Sequence, residues 1–486
     1  AGALNPKNTE DHTPTARSDR WVKIILLVAS LVTLVFLVAA MVRENFLTDW
    51  RSHQRHYRQL LEKSDDERQR QLAQSFQIEL RQIDLPQFNT VDRCVTCHVG
   101  IDNPAMAQQP NPYRYHHGDF LKWHPPEKYG CTVCHRGQGS ATTFHEATAI
   151  EEYWDYPLLP VHLTQASCGA CHAPDSPLMA KHAPKLAHGR QLFLDRGCQS
   201  CHKLGDVGGQ LGPVLDNEGL KIKHQLPMAH VQGDRTLVNW LQQHFDNPQH
   251  IVPGSQMRPP RLTAAENEAL TVYMISLQDR DWPKNYYPAD QVAAWNRELH
   301  EKTTDPVILY NRFCVNCHGD GTYSQWDRFF NRFVPAIRGP GLRAVADSDY
   351  LRTAIDQGRP GTLMPAWNKQ AGGLTAEQVD ALVTYLKSGD GKSLQVLRPP
   401  PTALESGNAN RGSELFIQHC AGCHSKLAPN LGNPVFQRSA SNKFLALTIV
   451  NGRIDAAMPA FQGPGAAGLT DDEIRDVIAH IRSLRK

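Results

Sequence analysis

What this chain does without is informative. No cysteine stands alone: all 12 fall in Cys-x-x-Cys pairs, leaving none for an irregular disulfide scaffold or a lone nucleophile. Charge of one sign is not in excess. With 51 Lys and Arg against 49 Asp and Glu, the formal net charge is +2, and no nucleic-acid partner is implied. Long apolar runs are scarce; the one long enough to matter is Ile24 to Val42. Hydrophobic residues make up 41% of the chain, and 33 Pro and 34 Gly punctuate it, which points to a loop-rich fold. At 486 residues the chain has room for roughly three to five compact units.

What is present explains the cysteine pattern. Every pair is followed at once by histidine: Cys94/Cys97/His98, Cys131/Cys134/His135, Cys168/Cys171/His172, Cys198/Cys201/His202, Cys314/Cys317/His318 and Cys420/Cys423/His424. CxxCH is the attachment signature of c-type haem. The two thiols add to the porphyrin vinyl groups, and the histidine ligates the iron. A zinc site would need four ligands and no obligatory histidine after each pair. Repetition without a stray cysteine therefore predicts six covalently bound haem c groups. Such porphyrins would supply apolar core that the polypeptide is short of.

Taken in order, residues 1–20 are a polar N-terminal tail. Residues 21–43 form a transmembrane anchor around the uncharged run IILLVASLVTLVFLVAAMV. The weaker alternative is a signal peptide cleaved near Ala39-Ala40-Met41. Arg17, Arg20 and Lys23 before the run, against Arg43 after it, favour a cytoplasmic N-terminus and an exported body. Residues 44–89 are charged and read as one helical stalk ending near Pro86. Its apolar positions, Trp50, Tyr57, Leu60, Leu61, Leu72, Phe76 and Leu80, pack either on its own haem region or on a partner subunit. Residues 90–188 form a trihaem module. Its motifs begin at Cys94, Cys131 and Cys168, too close for each haem to own a domain of at least ~50 residues. Ligands must then cross between neighbours.

From 189 onward the pattern becomes a repeat. Three units, 189–280, 304–390 and 408–486, share one order: a short helix into CxxCH, a variable loop, a methionine, and a closing helix. Thr263, Thr375 and Thr470 stand as N-caps of the closing helices, with acidic residues in the first turn. Residues 281–303 and the Pro-rich stretch 398–410 are linkers.

Each repeat resembles a class I cytochrome c domain, and together they cover about half of the chain. The resemblance implies Met257, Met364 and Met458 as sixth iron ligands, hence high-potential His/Met haems. It also implies that a proline carbonyl braces each proximal histidine: Pro213, Pro429 and, after a longer loop, Pro340. The first three haems have no such methionine loop, so histidines are expected instead. The free ones are His116, His117, His124, His145, His162, His182 and His188. His117, His124 and His145 are favoured because they lie between motifs; Met179 is an alternative at the third haem. Residues 20–190, with DRCVTCHVGID and KYGCTVCHRGQG, resemble membrane-bound multihaem cytochromes that accompany bacterial quinol-oxidising complexes, of the cytochrome b/Rieske type or alternative complex III.

The fold class expected is mainly α, with a transmembrane helix, a stalk, a loop-rich trihaem module and three cytochrome domains. Two functions compete. One is an electron relay on the periplasmic side of the bacterial inner membrane, handing electrons to a soluble cytochrome or a terminal oxidase. The other is a multihaem redox enzyme of peroxidase, thiosulfate dehydrogenase or nitrite reductase type, which needs one open haem site.

Overall fold

The computed structural model describes residues 16–151, 153–292, 303–389, 393–466 and 468–485. Most of the expected tail, and 293–302 of the first linker, lie outside the described residues. The chain is mainly helical. Among the described residues the strands form three two-stranded antiparallel ribbons. Two compact units meet in sequence at Leu158 and Leu159.

The first unit begins with one continuous helix, Ala16–Phe46. A helix in a soluble core buries one stripe; this one buries none of its apolar window. Ile25 is 63% exposed and Phe36 70%. At about 1.5 Å per residue its uncharged run matches the ~30 Å hydrocarbon thickness of a bilayer. It is therefore long and apolar enough to cross a membrane.

The stalk segment is two helices rather than one, Asp49–Glu62 and Glu67–Ser75. The reason is local: Asp66 turns the chain and caps the second helix, accepting the Arg68 N–H at 2.9 Å. Tyr57, Leu61 and Ala73 from these helices share one apolar cluster with Val99, Met106 and Tyr113. The apolar stripe thus packs on the region of the first motif. Gln54, fully buried, fastens the same joint: its side-chain amide donates to the carbonyls of Glu79 and Thr96, each at 2.8 Å. Leu72 and Leu80 stay exposed. A short ribbon pairs Ile83–Leu85 with Thr90–Asp92 and delivers Asp92 beside the first motif.

In the second unit each repeat has a leading helix that runs into its motif: Pro184–Asp195, Pro306–Phe313 and Ala409–His419. The closing helices are Ala264–Ser276, Ala376–Ser388 and Asp471–Ser483. All three begin with a capping box, Thr263 with Glu266, Thr375 with Gln378, and Thr470 with Glu473. Each such N-cap contributes about 1 kcal/mol. In the first and third repeats the leading helix crosses the closing helix at a glycine. A Cβ on Gly189 would stand 2.0 Å from the Ala269 carbonyl oxygen, and one on Gly412 1.9 Å from that of Asp476. Only glycine permits backbones so close.

The second and third repeats share one continuous core. Tyr350 stacks on Phe444 at 4.5 Å, within a cluster that runs from Leu309 to Ile481. The third motif, grouped by spacing with the first two, belongs to the second unit. Its segment Val161–Ala170 packs on the closing helix Ala264–Ser276.

Candidate haem-binding centres

All six motifs fold into the same single turn. The histidine N–H donates to the carbonyl of the first cysteine, at 2.9 Å for His98, His135 and His318, 2.8 Å for His172, and 3.0 Å for His202 and His424. Positions i, i+3 and i+4 of such a turn share a face. Two thiols and an imidazole therefore project together, which is what thioether attachment plus iron ligation requires. No two of the twelve cysteines are joined as a disulfide. Burial pushes the thiols of Cys198 and Cys314 up to about 12. These are apolar-walled thiols, not thiolates held ready for a metal ion.

The cysteines are not equally enclosed, a difference that six identical motifs do not foretell. Ten are partly covered, whereas Cys134 and Cys423 are exposed. The sixth motif shows the cause. Its leading helix delivers Cys420 against the apolar cluster shared by the last two repeats. The short turn Ala421–His424 then carries Cys423 out to the surface, where its carbonyl accepts the N–H groups of Leu427 and Ala428, each at 2.9 Å. Burial lifts the Cys420 thiol to about 11. Cys134 and Cys423 thus stand at the surface, while the first cysteine of each of their motifs is partly covered.

Burial also holds the imidazoles of His98, His135, His202, His318 and His424 below the ordinary histidine range. A neutral imidazole has a lone pair to give. Which nitrogen gives it is set by the partner of the other. His202 Nδ1 donates to the Pro213 carbonyl at 2.8 Å and His424 Nδ1 to that of Pro429 at 2.9 Å. In the middle repeat the brace is Pro335, 3.1 Å from His318 Nδ1, rather than Pro340. The longer loop folds into a ribbon, Gln325–Asp327 with Arg332–Val334, which ends just before Pro335. Pro340 instead opens the helix Pro340–Val345. His172 differs from all three. Its Nδ1 is 3.2 Å from both carboxylate oxygens of Asp290.

The methionines sit where the repeat places them. Met257 packs in the same apolar cluster as Cys198. Met364 and Met458 pack in the cluster that holds Cys314 and Cys420. Backbone bonds tie their loops: Arg359 N–H donates to the Met364 carbonyl and Arg453 N–H to that of Met458, both at 2.9 Å. Met257 N–H donates to Ser255 Oγ at 3.2 Å. Met179, the alternative for the third haem, is buried in its own short helix Pro177–His182.

Two pairs of motifs are joined directly. Asp92, fully buried, accepts the backbone N–H of Cys94 at 3.0 Å, Cys131 at 2.7 Å and Thr132 at 2.9 Å. Asp92, Cys94 and Cys131 also cluster tightly enough to suggest a metal ion. The carboxylate is already committed to three N–H donors, so a structural joint explains the cluster better. In the second unit Asn316, inside the fifth motif, donates to the carbonyls of Arg196 at 2.8 Å and Gly197 at 2.6 Å. These residues lead into the fourth motif. Neither joint is visible in the sequence, since each spans a long loop.

The expected distal histidines fall differently. His117 is exposed. His124 is half-buried, its Nδ1 donating to the Phe120 carbonyl at 3.2 Å and its ring edge-on to Tyr129. His145 is 76% exposed, with Nε2 3.0 Å from a Glu151 carboxylate oxygen. The His116 ring does meet a proximal imidazole, 6.3 Å from that of His135 between centroids. Sequence reasoning also passes over His53. It lies on the helix Asp49–Glu62, disfavours protonation of His98, and has Nδ1 3.2 Å from the Tyr113 hydroxyl. The apolar stripe of that helix draws attention first, although His53 and His56, three residues apart, share a face.

The donor sets fit haem c, and comparison with known proteins agrees. The family model for cytochrome c matches residues 186–278. That for cytochrome c oxidase, cbb3-type, subunit III matches residues 301–386 and 407–481. The chain is a multihaem c-type cytochrome. It is 27% identical over 197 residues to the cbb3-type cytochrome c oxidase subunit CcoP of Azospirillum sp. (strain B510), covering 36% of this cytochrome and 60% of that subunit. The cytochrome thus spans under two thirds of that relative's length. A 98-residue stretch is 28% identical to an HLA class I histocompatibility antigen of Homo sapiens, covering 20% of this cytochrome and 26% of that antigen. That match is short and carries no functional weight.

Proposed function

We propose that this cytochrome is a membrane-anchored hexahaem electron relay. It takes electrons from a membrane quinol-oxidising complex, of the cytochrome b/Rieske or alternative complex III type. It passes them to a soluble cytochrome or a terminal oxidase on the periplasmic side of the bacterial inner membrane. The observation that carries this is the ligand supply in the second unit. Three proximal imidazoles have Nδ1 committed to a carbonyl, and each motif shares an apolar cluster with a methionine. Cys94/Cys97/His98 through Cys420/Cys423/His424 would hold the six groups, and Met257, Met364 and Met458 would close three of them. The exposed thiols of Cys134 and Cys423 remain suited to attachment, because a vinyl group lies on the porphyrin rim. Bound haem supplies a one-electron iron couple, whose potential follows its axial ligands and burial. The protein's part is to hold those ligands in tied loops and keep water away. The likeness to an oxidase subunit supports a terminal-oxidase assembly as one partner.

The test uses detergent-solubilised membranes. Quinol should reduce the cytochrome in the membrane, and the protein should co-purify with quinol-oxidising or oxidase subunits. Deleting Ala16–Phe46 should abolish quinol-driven reduction while dithionite still reduces every haem. Quinol-driven reduction that survives this deletion would sink the anchored relay. A second reading, the redox enzyme with an open haem, draws support from His172, whose carboxylate partner would strengthen the imidazole as a donor. A stoichiometric high-spin haem that binds carbon monoxide in the wild-type protein would favour it.

A further inference from the structure

The segment between the first two motifs does more than connect them. His116 sits on it with its backbone N–H donating to the Ile101 carbonyl at 2.9 Å, just beyond the first motif. Its side chain is turned toward the second. The His116 and His135 ring centroids are 6.3 Å apart and their planes differ by 78°. A metal–imidazole bond is about 2 Å long, so two imidazoles on opposite sides of one metal have ring centroids about 6 Å apart. Both rings then contain the metal–nitrogen axis and can be rotated freely about it, so the interplanar angle is compatible. An edge-on aromatic contact would give a similar spacing. The tautomer of His116 is the one that ligation needs. His116 Nδ1 is 3.0 Å from the His117 carbonyl, which commits that nitrogen as the donor and leaves Nε2 with the lone pair. Phe120 stands edge-on to His116 at 6.4 Å and walls the same side.

We propose that His116, rather than His117, His124 or His145, is the second axial ligand of the haem carried by Cys131, Cys134 and His135. The assignment rests on the reading of that motif as a haem attachment site. It makes the second haem a bis-histidine centre whose distal ligand is lent by the segment leaving the first.

The experiment is performed on the full-length, haem-loaded protein in detergent. In His116→Gly, carbon monoxide should titrate one more haem per chain than in wild type, a high-spin EPR signal should appear, and added imidazole should remove both. His117→Ala should match wild type. An unchanged spin state and carbon monoxide stoichiometry in His116→Gly would overturn the proposal, as would the same gain in His117→Ala. Should His116→Gly fail to accumulate, His116→Met decides. One additional His/Met haem, counted by near-infrared magnetic circular dichroism, is expected, and no gain refutes the ligand assignment. Peptide mass analysis separates the two levels. A Cys131–His135 peptide without haem mass overturns the attachment reading, and the ligand assignment with it. Haem mass with unchanged spectra overturns the ligand assignment alone.

Discussion

The joint at Asp92 and the joint at Asn316 solve one problem with opposite chemistry. Each holds two haem motifs together. In the first unit a buried carboxylate gathers three backbone N–H groups from the first and second motifs. In the second unit a carboxamide donates outward to the carbonyls of Arg196 and Gly197. The first joint places a negative charge between two attachment sites; the second places none. The same proximity is thus built around a carboxylate in one unit and around a neutral amide in the other. The braces on the proximal histidines repeat the contrast. His202, His318 and His424 lean on proline carbonyls, whereas His172 leans on a carboxylate.

The largest effect is expected from removing the charged joint. Asp92→Ala leaves three N–H groups without an acceptor, each at about 1–3 kcal/mol. Loss of haem at both Cys94/Cys97 and Cys131/Cys134 should follow, read by haemochrome assay and peptide mass. Retention of both haems with an unchanged melting temperature would show that Asp92 is not the joint.

Inverting the second joint should come next. Asn316→Asp sets a carboxylate against two carbonyl oxygens and should destabilise the second unit by about 2 kcal/mol. Asn316→Ala should cost nearer ~1 kcal/mol. Chemical denaturation would rank the two, and a carboxylate tolerated as well as alanine would erase the contrast between the joints.

Asp290→Asn tests the brace. It removes the charge while leaving an oxygen to accept from His172. One midpoint should rise by about 59 mV, a tenfold change in a one-electron equilibrium. Potentiometric titration with no haem moving upward would make His172 equivalent to the other three. Smallest of all, Thr470→Ala removes one capping box outside both joints and should lower stability by ~1 kcal/mol without shifting any midpoint. A shift there would mean that potentials follow general loosening rather than local charge.

Much of this organisation is readable from local pattern. A five-residue motif folds the same way wherever it stands, because its turn is closed by its own backbone. How far each thiol is covered is not local, and so Cys423 differs from Cys420 without any change of spelling. The Leu-Thr starts at 263, 375 and 470 announce capped helices because a capping box, too, is closed within four residues. Pro213 and Pro429 are legible because their loops are short; Pro335 is hidden by the ribbon Gln325–Asp327 and Arg332–Val334. The pairing of His172 with Asp290 spans 118 residues and leaves no periodic trace. His116 and His117 are neighbours of the same type, and nothing in composition says which one turns inward. The stalk misleads by its charge and lack of Pro and Gly, because a single capping aspartate, Asp66, outweighs helix propensity across the break.

The common core of the last two repeats sets a limit on how this chain can be cut. Tyr350, Phe436 and Phe444 lie on both sides of the Pro-rich linker in sequence but in one packed cluster. A truncation at the linker would therefore not yield a shorter wire with one cassette fewer. It would leave the middle repeat with a bare apolar flank and turn a loss of length into a loss of solubility.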